Sequence, residues 1–205
     1  MTPPYVSSVW KLFLLTLSEP GKSARLLLYW RTRVSNEALW LILTITTILI
    51  SIILWSLIQL ITPFGEEVKI ILQHSSIYNS PFIFAFMQWC RAIMSICAIC
   101  LVGMFMGGEA NSGEVVIFVT WLQIVSFLLT AIQMAMGLIL PVLSPVLTLI
   151  VIVVMARTLL TYMNELNRFE NLFKSLALLF FSFIGVVVMI SVILSIFLLL
   201  FGIPA

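Results

Sequence analysis

The stretch FIFAFMQWCRAIMSICAICLVGMFM, Phe82–Met106, decides the fold. It is long enough to cross a bilayer as a helix, which takes about 20 apolar residues. Its one charged residue is Arg91. A guanidinium keeps its proton at any ordinary pH. At the centre of a lipid-facing helix it costs at least about 2.5–3.5 kcal/mol. Either the run lies outside a membrane, or the protein itself meets that charge.

Composition excludes the first option. Of 205 residues, 62% are hydrophobic and 9% charged, mean hydropathy is +1.23, and aspartate is absent. A soluble domain is nearer 45–50% apolar and about 25% charged. A fold of this length has too little interior for so much apolar surface. The sequence predicts an all-α, polytopic membrane protein.

Working outward from Phe82–Met106, four further runs reach spanning length. The five spans are expected at about 38–61, 82–106, 115–140, 141–163 and 175–202. A polar loop (Thr62–Pro81) follows the first, and a Gly-rich turn (Gly107–Glu114) joins the second to the third. The third and fourth spans are divided at GLILPVLSP, because Pro141 and Pro145 disfavour an unbroken helix. A charged loop, Asn164–Lys174, precedes the fifth. No cleavable signal is expected, since the first long apolar stretch begins near Ala38.

Residues 1–37 form a separate cytoplasmic or interfacial segment, and 38–205 the spanning domain. Val6, Val9, Trp10, Phe13, Leu14 and Leu17 recur at helical spacing, while Ser7, Ser8 and Lys11 face away. A second helix is expected to begin at SEPGKSARLLLYWRTR, with Ser18 as N-cap and Pro20 in its first turn. Lys11, Lys22, Arg25, Arg31 and Arg33 flank these helices with positive charge. Two arrangements remain open: helices lying in the headgroups of an anionic leaflet, and helices packed on the end of the bundle. Arg157, Arg168 and Lys174 cluster with this segment if the N-terminus is cytoplasmic and the C-terminus outside. The first polar loop carries only Lys69, beside Glu66 and Glu67. That asymmetry sets the expected orientation.

Arg91 shares a helix face with Gln88 and Ser95. The third span has its own stripe: Thr120, Gln123, Ser126, Thr130 and Gln133. The two spans are antiparallel and joined by a short turn, so they are expected to be neighbours with these edges facing. Arg91 is then either an interhelical clamp hydrogen-bonded to the stripe, or the mark of a polar path or anion pocket. On either reading, Arg91→Leu is expected to destabilise the bundle. The carboxylates nearest in sequence, Glu109 and Glu114, belong to the turn and are too far away to pair with Arg91. Stripes of small and hydroxyl residues (Thr44, Thr47 and Ser51; Ser182, Gly185, Ser191 and Ser195) favour close helix packing.

Catalytic chemistry has little material. There is no nucleophile elbow, phosphate-cradling loop or carboxylate cluster. Cys97-x-x-Cys100 reads as small apolar filler at lipid depth, and His74 stands alone among the histidines. No catalytic residue, cofactor or metal is expected, and no nucleic-acid partner. The expected partners are the bilayer, with anionic lipid at the cytoplasmic face, and a membrane protein or a second copy of the chain.

MFMGGEANSGEVVIFVTWLQ, then LILPVLSP, then LNRFEN resemble the Ypt-interacting-protein (YIP) domain family, bacterial type. The resemblance rests on Gly107-Gly108 before the third span, Trp121 and Gln123 within it, Pro141 at the start of the next, and LSEPGKSARLLL near the N-terminus. Two positions depart: Phe105 stands where relatives often carry a polar residue, and Asn167-Arg168-Phe169 replaces a His-Gly-Phe-like step. The resemblance implies a five-span membrane protein without catalysis, acting as a binding or membrane-organising scaffold. Eukaryotic members are associated with small GTPases and vesicle traffic, which does not carry over to a bacterium. The alternative is a small transporter, channel subunit or lipid-handling protein using Arg91.

Overall fold

A computed structural model describes residues 8–61, 80–169 and 171–201. The chain is a multi-pass integral membrane protein, all-α, with five helices long and apolar enough to span a bilayer. Two short helices, α1 (Val9–Ser18) and α2 (Pro20–Arg31), precede them. The spans are α3 (Asn36–Ile61), α4 (Pro81–Phe105), α5 (Ser112–Ile139), α6 (Ser144–Asn167) and α7 (Leu172–Phe201). Most of the loop expected at Thr62–Pro81, with His74, lies outside the described residues, as do Val6 and Ser7.

The break between the third and fourth spans is a single 3-10 turn, Pro141–Leu143, so α6 begins at Ser144, three residues later than expected. The charged loop is shorter than predicted. The α6 helix runs on to Asn167 and α7 starts at Leu172. Polar residues extend the helix here because they are used within it: Ser175 donates to Asn164 Oδ1 at 3.1 Å across the α6–α7 junction. The helix stops at Arg168, held in the left-handed region at φ 54°.

In space the spans form a ring. Its order is α3, α4, α7, α6, α5, with α5 returning to α3, and α4 also touches α5. The most densely packed part lies at one end, here called the basic end. Val115, Val116, Phe118, Tyr162, Met163, Leu166 and Leu178 are fully buried there. Each such large side chain withdrawn from a polar phase is worth about 1.5–3 kcal/mol.

The two N-terminal helices pack on the basic end, with α2 lying against α6 and α5 and α1 against α2. Leu12, Phe13 and Thr16 of α1 are buried, as are Ser23, Ala24, Leu26 and Leu27 of α2. Of the α1 face that periodicity selects, Phe13 is buried and Leu17 packs against the core, but Val9, Trp10 and Leu14 remain exposed, at 61%, 55% and 48%. The reason is a polar anchor that no apolar pattern reveals. Tyr162 Oη lies 2.7 Å from Ser23 Oγ and 3.3 Å from Thr16 Oγ1, and Trp121 Nε1 donates to Thr16 at 3.0 Å. Thr16 and Ser23 give their own hydroxyl hydrogens to the Leu12 and Pro20 carbonyls. Tyr162 is therefore the donor to Ser23, linking α6 to α2, while Trp121 links α5 to α1 through Thr16, and the longer Tyr162–Thr16 approach is left without a hydrogen of its own.

Ser18 is not the N-cap of α2. Glu19 occupies that place without a side-chain cap bond, and Pro20 is the first helical residue. Ser18 instead bonds back to the Leu14 carbonyl.

Two glycines set the α4–α5 turn, for different reasons. Gly107 takes φ 76°, and its N–H and that of Gly108 close onto the Met104 and Gly103 carbonyls at 3.2 and 2.8 Å, a Schellman ending. Gly103 and Gly108 leave room for buried Asn167, whose Oδ1 would lie 2.6 Å from a Cβ at Gly103. Helix α5 then opens with a capping box. Asn111 Oδ1 accepts from the Gly113 N–H, and the Glu114 carboxylate accepts from the Asn111 N–H.

Candidate functional site: a polar cavity around Arg91

Because the ring closes through α3 and α7, the α4 and α5 edges meet across a space rather than in contact. A cavity of about 730 Å³ occupies it. Arg91 lies about 15 Å along α4 from Pro81, at ~1.5 Å per residue, and so at lipid depth. Gln88, Arg91 and Ser95 line one wall, and Gln123, Ser126 and Thr130 another. Thr47 and Ser51 of α3 and Ser182 of α7 complete the polar lining. Six of the eight polar residues singled out on these two spans thus share one cavity, and Thr120 lines a different one. Gln133 does not line it and donates to Thr148 Oγ1 on α6 at 3.4 Å.

The predicted clamp is absent. Among the described residues, Arg91 makes no side-chain hydrogen bond and no ion pair, and the residue, one of those lining the cavity, is exposed. One acceptor of the α5 stripe is engaged elsewhere: Gln123 Oε1 accepts from Thr47 Oγ1 at 2.8 Å, tying α5 to α3. Trp89 Nε1 donates to Thr44 Oγ1 at 3.2 Å, tying α4 to α3. The first span therefore does the joining that Arg91 was expected to do. Ser95 returns its hydroxyl to the Arg91 carbonyl.

Two more polar atoms at this cavity lack partners. Gln88 Oε1 and Ser182 Oγ are buried without a hydrogen bond, and Ser182 as a whole is 6% exposed. A buried polar atom left unpaired costs about 1–3 kcal/mol. Arg91, Gln88 and Ser182 thus line one space, the guanidinium without a partner and the Gln88 Oε1 and Ser182 Oγ atoms covered by their neighbours.

The floor is closed. Below Met163, the fully buried Phe118, Tyr162, Leu166 and Leu178 seal the basic end. Access runs from the opposite end or sideways between helices. The volume falls in the range of small-molecule sites, about 300–1,000 Å³.

The basic end itself has been sorted by pairing. Lys22 contacts Glu19, and Arg25 lies 3.9 Å from Glu165. Glu109 pairs with Arg168 at 2.5 Å. That bond, with Glu114 behind it, raises the Arg168 pKa above its ordinary value. Arg31 is structural: its guanidinium donates to the Val34 carbonyl at 3.0 Å and to Asn36, and lies flat on Gly113. Arg33 sits over the Tyr29 ring at 4.9 Å. Lys11 projects from exposed positions of α1. Cys90, Cys97 and Cys100 are free thiols.

Comparison with protein-family models, curated proteins and solved structures finds no match to this chain.

Sequence reasoning missed Thr47, Ser51 and Ser182 as cavity residues. The packing stripe expected of them holds for Thr47, which ties α3 to α5 and also lines the cavity. Their hydroxyl chemistry was visible, but ring order decides whether a stripe meets a neighbour or a void.

Proposed function

We propose that this chain is a non-enzymatic membrane protein that binds a phosphate-bearing anion, free or as a lipid headgroup, in the central cavity at Arg91. The observation that carries the reading is an unpaired guanidinium lining a large polar cavity. Ionisable groups inside membranes mark ligand paths when no structural partner meets them. Ser126 and Thr130, which line the same cavity, add hydroxyls for the oxygens of such a ligand. The closed floor supports a binding or one-sided handling role rather than an open pore. Lipid handling or small-anion transport is the class.

The test titrates the reconstituted chain with inorganic phosphate, short-chain phosphatidylglycerol and short-chain phosphatidylcholine, following tryptophan fluorescence. Saturable responses to phosphatidylglycerol but not phosphatidylcholine are expected, with phosphate separating a free-anion site from a lipid site. Arg91→Gln should lose the response and Arg91→Lys should keep part of it. An unchanged response in Arg91→Gln refutes the proposal.

The YIP-domain resemblance supports a second reading, a scaffold or membrane-organising component that binds another membrane protein. The exposed Val9, Trp10 and Leu14 face of α1 favours it, since that apolar surface lies at the basic end and is uncovered. The lysine and arginine asymmetry supports a cytoplasmic basic end in a bacterial inner membrane. Protease access to the N-terminal segment in inverted but not right-side-out vesicles is the expected outcome, and the opposite pattern reverses the topology.

A further inference from the structure

A second, smaller cavity of about 320 Å³ lies between α2, α3 and α5 at the basic end, separate from the Arg91 space. Its chemistry is different. Leu27, Leu39, Ile42, Ile117 and Ile124 supply carbon walls. Along α5 the hydrogen-bond donors of the walls are spent elsewhere: Thr120 donates to the Val116 carbonyl, and Trp121 Nε1 to Thr16. Water against these carbon walls would find few partners. Within a bilayer the available filler is hydrocarbon.

One cation stands among these walls. Arg33 follows α2 closely and precedes α3, so it marks the level at which the first span leaves the apolar zone. Its guanidinium rests on Tyr29 and bonds the Tyr29 hydroxyl. It joins no ion pair among the described residues, whereas Lys22, Arg25 and Arg168 are each met by a carboxylate. Trp30 lies beside it. Tryptophan, tyrosine and arginine together are the set found at the headgroup boundary. From Ile117 to Ile124 the slot runs about 10 Å along α5 at ~1.5 Å per residue.

We propose that this slot is a binding site for an anionic membrane lipid, one acyl chain lying along α5 and its phosphate held by Arg33. Hydrocarbon walls beneath a single unpaired guanidinium match an amphiphile with one negative head. They match neither a free anion, which the walls would exclude, nor a zwitterionic lipid, whose cationic head Arg33 repels. Stacking on Tyr29 holds the fork in place, which reduces the ordering cost of each bond it makes to a phosphate. The site belongs to the leaflet at the basic end and does not depend on the central cavity.

The experiment reconstitutes the full chain in phosphatidylcholine vesicles containing a diazirine-bearing phosphatidylglycerol or its phosphatidylcholine counterpart, then maps crosslinked peptides. Labelling is normalised to the outward-facing Leu149–Val153 stretch, which reports ordinary contact with bulk lipid. Preferential phosphatidylglycerol labelling of the Ile117–Ile124 peptide is expected. Arg33→Gln should cut that preference about fivefold, the scale of one basic group at an anionic surface, and Arg33→Lys should retain part of it. Ile124→Trp should fill the slot and reduce labelling by both probes. Arg91→Gln should leave slot labelling unchanged, so the two sites fail separately. Equal labelling by the two probes in the parent chain, or an undiminished preference in Arg33→Gln, overturns the proposal. An unaltered thermal midpoint in Arg33→Gln shows that the fold is kept, and Arg33→Lys supplies the comparison if it is not.

Discussion

Replacing Arg91 by methionine separates a structural arginine from a ligand-binding one by the sign of its effect on stability. A clamp would hold two or more charge-assisted bonds of about 1.5–3 kcal/mol each. Removing two such bonds would destabilise the bundle by about 3–6 kcal/mol and strand their acceptors. In the structure the guanidinium makes no such bond among the described residues, and Gln123 is already satisfied by Thr47. At the centre of a lipid-facing helix a bare cation costs at least about 2.5–3.5 kcal/mol, and water in the cavity lowers that cost. Methionine is of similar length and carries no charge. Arg91→Met is therefore expected to leave stability unchanged or raise it by up to about 3 kcal/mol, reversing what the sequence led one to expect of Arg91→Leu. The assay is reversible unfolding in mixed micelles, following tryptophan fluorescence against the denaturing-detergent fraction, without added ligand. A loss of more than about 2 kcal/mol would show that Arg91 carries structural bonds, and the reading of an unspent cation would fall.

The remaining predictions concern packing and access. Tyr162→Phe should cost about 1–2 kcal/mol, because Ser23 loses its donor inside a fully buried network, and should loosen α1 and α2, seen as faster hydrogen exchange confined to residues 9–31. Gly113→Ala would set a Cβ 2.7 Å from Arg31 Cζ. Overpacking of that kind costs about 1–3 kcal/mol, and the penalty should vanish in an Arg31→Ala background if that contact is its cause. Gly107→Ala should cost about 1–2 kcal/mol from its positive φ alone, measured by the same unfolding assay. In a background with Cys90, Cys97 and Cys100 replaced by alanine, Ser126→Cys should react with a charged, impermeant thiol reagent only from the side opposite the basic end. Reaction from the basic side would mean that the Phe118–Tyr162 floor is not sealed.

Much of the architecture was legible from one dimension. Five apolar runs of spanning length, Pro141 and Pro145 between two of them, and Gly107 in a tight turn are local signals, and each has a local physical cause. The polar faces of α4 and α5 were also readable, since Gln88, Arg91 and Ser95 share a side by helical spacing alone. Turn length implied that the two helices touch, and they do. It did not imply that α3 stands on one side of them and α7 on the other. The α1 face was misread for a related reason: Thr16 and Ser23 are chosen for burial by Tyr162, which follows them by 146 and 139 positions. Asn167, seated against Gly103 and Gly108, escaped notice in the same way.

By itself, the sequence determined that this protein lives in a membrane, how many times its helices can cross, and which residues would be expensive there. Those properties depend on hydrophobic transfer and backbone hydrogen bonding within single helices, which act over a few turns. Only the tertiary structure decided whether the charge at Arg91 is answered by a neighbouring helix or by empty space. That outcome depends on ring order and on which distant hydroxyl claims Gln123, and no periodicity in the chain encodes either.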